Sequence, residues 1–461
     1  MDGEATLSAD GGFEISVEGP EMLRPGVWFM LMLDLDRDGF DEFDIHSGGY
    51  HGNRLEAGRG PYHLTVKERP PAGPSPTPAV ARPPSPSPTA TAGPAFAALA
   101  EGFFNVKDFG ARGNGTGDDT AAIQAAIQKA AEIGGVVYLP PGGYPVRSLD
   151  LTNRHRISLI GAGPLSSKLI AIGEDIHMLD MTGAMYVRIE NLQIASGSVV
   201  PATAILLGQN DRWSANANHL MNLYVSGKFR VATIYVHGSQ SSDMMNCDIY
   251  NYQPTDAPVV AFTANNYAGV SSTYTETIQT QVTTSDWTIV ACEMHSFAAQ
   301  YGGPSEAPTV RLDGTMQMRW VGGNISGSGP EYVRFSGAPT HTIFDGTTFY
   351  SDNGTPTKSV FYNSDRVTGL TVNQCVLQSS DSVFGGAPDA VYDVLSVCSP
   401  TMGQAAFIDC PRGLLTNSLL HCNGLGLRVG TVQTTFLINP GTVTAQTDGA
   451  FKLVPHEAGS Q

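Results

Sequence analysis

The sequence predicts an all-β solenoid of thin stacked coils closed at one end by a single helix, and three observations carry that prediction. One is a lone amphipathic stretch, "DDTAAIQAAIQKAAEIGG", over residues 118–135. Another is a strand-sized pattern that recurs after it in "IENLQI", "LMNLYV", "MMNCDI", "IVACEM" and "WVGGNI", starting at residues 189, 220, 244, 289 and 320. The third is composition: Thr, Val, Ile, Asn, Ser and Gly dominate this region, which favours strands and turns over the helices of regular repeat arrays. Units too thin to bury their own faces must stack to share a continuous core.

The chain's 461 residues, 41% of them hydrophobic, can support two or three domains with sizeable cores. A formal charge of -17 argues against a nucleic-acid groove, because phosphate binding needs clustered Lys and Arg. The expected partners are therefore neutral, cationic or metal-bridged. No apolar run approaches the ~20 residues needed to span a bilayer, so membrane insertion is not expected. The opening "MDGEATLSAD" has neither the basic nor the apolar region of a secretory signal. The six Cys lack CxxC spacing and read as mostly buried thiols.

Taken along the chain, residues 1–69 form a small acidic β module. "VWFMLMLDLD" and "FDEFDIH" flank Arg37-Asp38-Gly39 as two strands around a tight turn. Asp34, Asp36, Asp38 and Asp41 alternate through that turn and Gly39 permits its bend, the chemistry of a Ca2+ loop of the EF-hand type. Position twelve of such a loop is Ile45 here rather than Glu, so a solvated acidic hairpin is the competing reading. Residues 70–95 follow as a Pro-rich linker: ten of the 30 prolines fall between Pro70 and Pro94, a composition that favours extended polyproline II and cannot build a core.

The helix should start at Asp118 or Asp119, set Ile123, Ile127 and Ala130 on one face, and stop at Gly134-Gly135. Its role is to cover an open end that would otherwise invite edge-to-edge aggregation. In each coil the fourth and sixth pattern positions should point inward: Leu192 and Ile194, Leu223 and Val225, Cys247 and Ile249, Cys292 and Met294. The fifth should point outward: Gln193, Tyr224, Asp248, Glu293 and Asn324. The coils run over residues 96–424. Residues 425–461 read as strands without the coil pattern, serving either closure or contact with sister chains.

Stacking in sequence order would put Asp248 and Glu293 one coil apart, with backbones ~4.8 Å from each other. Carboxylates at ~5–5.5 Å suit a retaining glycosidase, one as nucleophile and the other as acid/base; the bland alternative is an ordinary solvated ladder. The longest insertion, 251–285, carries Tyr252, Tyr267 and Tyr274, with Trp287 just after, and flat aromatic faces on loops suit sugar rings. Trp213 is either a glycan platform or a packing plug. Asn191, Asn222 and Asn246 read as a turn ladder. His219, His237, His295 and His341 show no metal spacing and read as surface or hydrogen-bonded residues.

The stretch "NVKDFGARGNGTGDDTAAIQAAIQKA" followed by "GGVVYLPPGGYPV" resembles the opening of the pectate-lyase-like superfamily, specifically over Phe103 to Val146. The resemblance implies a right-handed parallel β-helix. For spike-type members it further implies a homotrimer that meets a cell-surface polysaccharide such as a capsule. The polygalacturonase signatures (Asn-Thr-Asp, Gly-His-Gly, Arg-Ile-Lys) and the Asp-His pair of pectate lyases are absent, so no family catalytic residue carries over. The short N-terminal module, Pro-rich stretch and signal-less start resemble a head or tail spike of a phage or a phage-like gene transfer particle, assembled in the cytoplasm and released by lysis. In that reading residues 1–69 anchor the chain to other particle proteins, and the body adheres to glycan. Cleavage of the glycan by a hydrolase or lyase on the same fold is the alternative.

Overall fold

The computed structural model describes residues 102–447 except 210–213, 253–256, 265–283, 298–305, 328, 352–357, 399 and 403–405, together with Lys452–Val454 and six short strands between residues 4 and 56. The chain divides into two compact units, Met1–Thr91 and Ala92–Gln461. In the first, Met32–Leu33 pairs antiparallel with Ile45–His46, either side of the acidic turn. Asp34, Asp36, Asp38 and Asp41 lie outside the described residues, as does the Pro-rich linker.

The second unit is a right-handed parallel β-helix whose 35 described strands form one hydrogen-bonded network. Each coil contributes a strand to each of three parallel sheets. In one coil the first sheet receives Asp243–Met245, the second Asp248–Asn251 and the third Val260–Thr263, and the next coil repeats the set with Thr288–Val290, Glu293–Ser296 and Val310–Asp313.

The corner between the first two sheets needs a residue in the left-handed region, where Asn is tolerated better than most side chains. Asn191, Asn222 and Asn246 take it at φ 56, 50 and 51. Their amides also hydrogen-bond in series, Asn222 Nδ2 donating to Asn191 Oδ1 at 2.5 Å and Asn246 Nδ2 to Asn222 Oδ1 at 3.1 Å. The turn ladder expected from sequence is therefore present.

Side chains facing inward make one continuous core. Leu192, Ile194, Leu223, Val225, Cys247, Ile249, Cys292 and Met294 are all buried in it, and Gln193, Tyr224, Asp248, Glu293 and Asn324 are only partly covered. All six Cys are free thiols, five of them buried. Burial raises the Cys375 thiol to about 11, and Cys410 and Cys422 to about 12, so these three are not ready thiolates.

Helix α1, Thr120–Ile133, covers the first coil, burying Ile123, Ala126, Ile127 and Ala130. Asp118 accepts bonds from the Thr120 amide at 3.0 Å and hydroxyl at 2.5 Å, while Asp119 ties back the preceding loop through the amides of Arg112 and Gly113. Gly134 ends the helix at φ 77, with its amide on Ala130.

Two boundaries differ from the sequence reading. The β-helix does not end at residue 424: Leu427–Gln433, Phe436–Ile438, Val443–Thr447 and Lys452–Val454 go on stacking in parallel. A register shift between Arg428 and Thr431 and the outward-facing Phe436 break the alternation and blur the pattern, but Val432 and Leu437 still fill the core. The stretch 251–285 is also not one insertion, because Val260–Thr263 within it is a strand of the third sheet.

Candidate functional site

On the outer face of the second sheet, Asp248 and Glu293 head adjacent strands and stand directly opposite each other in register. Parallel pairing holds their backbones ~4.8 Å apart. The same column continues to Tyr224 on one side and Asn324 on the other. Stacking in sequence order thus brings the two carboxylates together.

Two residues further along each strand runs a second column, Tyr250, His295, Ser326 and Tyr350, also in register, whose first three members are buried. His295 is the junction of the two columns. Its Nε2 lies 3.3 Å from Glu293 Oε2 and its Nδ1 lies 2.6 Å from Ser326 Oγ. A neutral ring that donates from Nε2 to the carboxylate accepts the Ser326 hydroxyl at Nδ1. Asn324 Nδ2 donates to the other carboxylate oxygen at 3.1 Å. The Glu293 side chain is 18% exposed and that of His295 4%, so the carboxylate is held by fixed partners with one edge toward solvent.

Aromatic rings wall this cluster. His295 stacks on Tyr250 with centroids 4.9 Å apart and on Phe297 at 5.7 Å, and Tyr252 leans on both Tyr250 and Phe297 at 6.2 Å. Tyr224 reaches Tyr250 from the preceding coil at 5.5 Å. Tyr250 and His295 are themselves buried, so what reaches the surface is the partly covered rings of Tyr224, Tyr252 and Phe297 beside fixed carboxylate and amide groups, a combination that suits ligands with both apolar faces and hydroxyls.

The residues expected from sequence divide three ways. Asp248, Glu293 and Tyr252 come together here. Trp213, Tyr267 and Tyr274 lie outside the described residues. Trp287 does not face a ligand: it is fully buried in the core, edge-on to Phe262 at 5.1 Å. It precedes the first-sheet strand Thr288–Val290 rather than ending a loop, and its ring fills the coil interior.

Tyr250, His295 and Ser326 were not singled out as site residues by sequence. The signal existed, since the alternation that turns the fifth pattern position outward puts the seventh on the same side, although there Tyr250, His295 and Ser326 are buried. Among the described residues no cluster of three or more His, Cys, Asp or Glu is placed to hold a metal, and no helix is long and apolar enough to cross a membrane.

These features define a right-handed parallel β-helix. Residues 103–302 match the family described as rhamnogalacturonase A/epimerase, pectate lyase-like, which extends the resemblance of the opening segment well into the coils. Mannuronan C5-epimerase AlgE3 of Azotobacter vinelandii is 54% identical over 67 residues, 13% of this chain and 4% of that protein. The segments matched in such curated relatives span 4% to 16% of the relatives' own length. Among solved structures, ORF18 of Geobacillus virus E2 aligns with 78% of this chain and 63% of its own at 15% identity and a TM-score of 0.43. PfbA, a surface adhesin of Streptococcus pneumoniae, aligns with 76% and 92% at 14% identity and a TM-score of 0.47.

Proposed function

We propose that this chain is a particle-borne spike, of phage or phage-like origin, whose β-helix binds polysaccharide on a host cell surface. The observation that carries the glycan reading is the outward column Tyr224, Asp248, Glu293 and Asn324 on the second sheet, with the partly covered rings of Tyr252 and Phe297 beside it. Sugar rings present apolar faces and polar edges, and this surface offers partners for both. The polysaccharide-acting names among the relatives are consistent with it. The particle assignment rests on the spike-like arrangement of a short N-terminal module, a Pro-rich stretch and a β-helix body. In this reading the body is a homotrimer, since identical spikes close most readily as symmetric rings. Residues 1–69 dock to other particle proteins, with Ca2+ held by Asp34, Asp36, Asp38 and Asp41.

A second reading is a polysaccharide depolymerase. It is favoured by the direct opposition of Asp248 and Glu293 and by the tie from Glu293 to His295, the arrangement from which acid/base chemistry is built.

One experiment separates the two. The full chain is incubated with capsular or O-antigen polysaccharide from candidate hosts, bound glycan is pulled down, and its chain length is measured. Binding without shortening is expected. Shortening that falls by about 10² or more in both Asp248→Asn and Glu293→Gln would establish cleavage at this pair. Absence of binding to any host polysaccharide would overturn both readings. Calorimetry of the full chain should register calcium binding that Asp36→Asn/Asp38→Asn abolishes.

A further inference from the structure

A cleft of about 390 Å³ opens on the third sheet, away from the second-sheet columns, across the strands Glu331–Ser336, Ser359–Asn363 and Ser382–Gly386. Two columns line it. One runs Glu331, Ser359, Ser382, and the other Arg334, Tyr362, Gly385, Asp409. The strands bend here so that residues three apart converge on the outside: Glu331 Oε1 accepts from Arg334 Nε within a single strand.

Tyr362 is the centre of the cleft. The Arg334 guanidinium lies 5.9 Å from its ring centroid, an ordinary cation–π approach. The next residue in register on the other side is Gly385, which has no side chain to lay over the ring. The glycine is fixed by its surroundings, because a Cβ there would collide with the hydroxyl of Ser359. The buried Tyr392 hydroxyl also holds the Gly385 carbonyl from behind at 2.5 Å. Asp409, one coil further, closes the far wall. The result is a slot two strand spacings wide, ~9.6 Å, between an aromatic face and a carboxylate.

The charges around the slot cancel. Glu331 is bound to Arg334, and Asp409 is held by Arg428 through two bonds of 2.7 and 2.8 Å. Lys358 and Asp381 stand exposed at the rim. Three acidic and three basic groups leave no net field to select an anion, yet each supplies directional donors or acceptors. The Ser359 and Ser382 hydroxyls, 3.0 Å apart, add neutral polar groups to the floor. An aromatic face, a gap of ring thickness and balanced polar groups match an uncharged sugar.

We propose that this cleft is a second saccharide subsite, taking one neutral hexose unit stacked on the open face of Tyr362. It stands apart from the second-sheet reading, and either can fail without the other. The test is saturation-transfer NMR with linear hexaoses of glucose, mannose and galactose and, as an anionic control, a hexauronate. The proteins are the full chain, Tyr362→Ala, Tyr362→Phe, Asp381→Ala and Tyr252→Ala. At least one neutral hexaose should bind the unmodified chain, weaken by about tenfold in Tyr362→Ala, and be unaffected in Tyr362→Phe, which keeps the ring face. Asp381→Ala, at the exposed rim, should weaken binding without lowering the melting temperature. Tyr252→Ala should leave this binding intact even if it abolishes capture of host polysaccharide. Equal binding by Tyr362→Ala, binding by none of the neutral hexaoses, or preference for the hexauronate lost in Tyr362→Ala would each overturn the proposal.

Discussion

The rings of Tyr250 and His295 stack across adjacent coils, centroids 4.9 Å apart and planes 17° from parallel. That stack fixes the imidazole plane, and the plane fixes where its two nitrogens point, toward Glu293 and Ser326. The geometry of the outward carboxylate is therefore set by the aromatic column beside it.

Replacing His295 by Phe keeps the stack and removes both hydrogen bonds. Ser326 is left with a buried hydroxyl whose imidazole partner is gone, and one Glu293 oxygen loses its neighbour. The expected cost is about 1–3 kcal/mol, read as a lower urea midpoint at unchanged slope. Stability equal to the parent would mean the imidazole contributes only its ring.

Trp287 separates core from site. Its indole is buried against Phe262, so Trp287→Ala should lose roughly 3–5 kcal/mol in denaturant unfolding. Tyr252→Ala, at the half-covered edge of the aromatic column, should lower glycan capture while costing far less stability. A Trp287→Ala protein as stable as the parent would contradict the placement of this side chain.

These two residues also show what the sequence discloses. The coil pattern fixed inward and outward faces because a strand alternates strictly, and register followed because a one-residue slip would bury Asp248 and expose Ile249. Trp287 was misplaced because a large aromatic beside a loop looks alike whether it faces solvent or core; only the start of the next first-sheet strand decides. His295 and Glu293 do not disclose their cross-coil partners because these come from the following coil, Ser326 for the imidazole and Asn324 for the carboxylate, and that neighbourhood exists only after stacking. The terminal coils past residue 424 are hidden for a simpler reason: a register shift at Arg428–Thr431 and an outward Phe436 break the apolar-in, polar-out alternation.

His237 gives the fold a pH dependence. It sits in the third-sheet strand Ile234–His237, 1% exposed, and burial lowers its pKa from 6.5 to about 4, with a smaller push from His177. The unfolded chain takes up this proton near pH 6.5 while the folded chain resists until about pH 4. Stability attributable to this residue is thus fully present above pH 6.5 and lost as pH falls toward 4, by roughly 3 kcal/mol at most. Urea midpoints measured at pH 7 and pH 5 should fall more for the parent than for His237→Gln. An identical fall in both would assign the acid sensitivity to other groups.

The asparagine ladder yields the most discriminating test of how the coils are held in register. Asn222 sits at φ 50 and bonds to Asn191 on one side and Asn246 on the other. An L-residue other than Asn or Asp pays ~1–2 kcal/mol for that conformation, and each lost hydrogen bond adds about 1 kcal/mol. Asn222→Ala bears both costs, so it should lose about 3–4 kcal/mol. Asn222→Gly escapes the conformational cost and loses only the two bonds. The difference between the two variants isolates the corner from the ladder, and native-state hydrogen exchange locates the damage: the amides of Leu223 and Tyr224 should lose protection before those of distant coils. If Ala and Gly are equally destabilising, the left-handed corner carries no strain and the ladder alone holds these turns; if Gly matches the parent, the reverse is true.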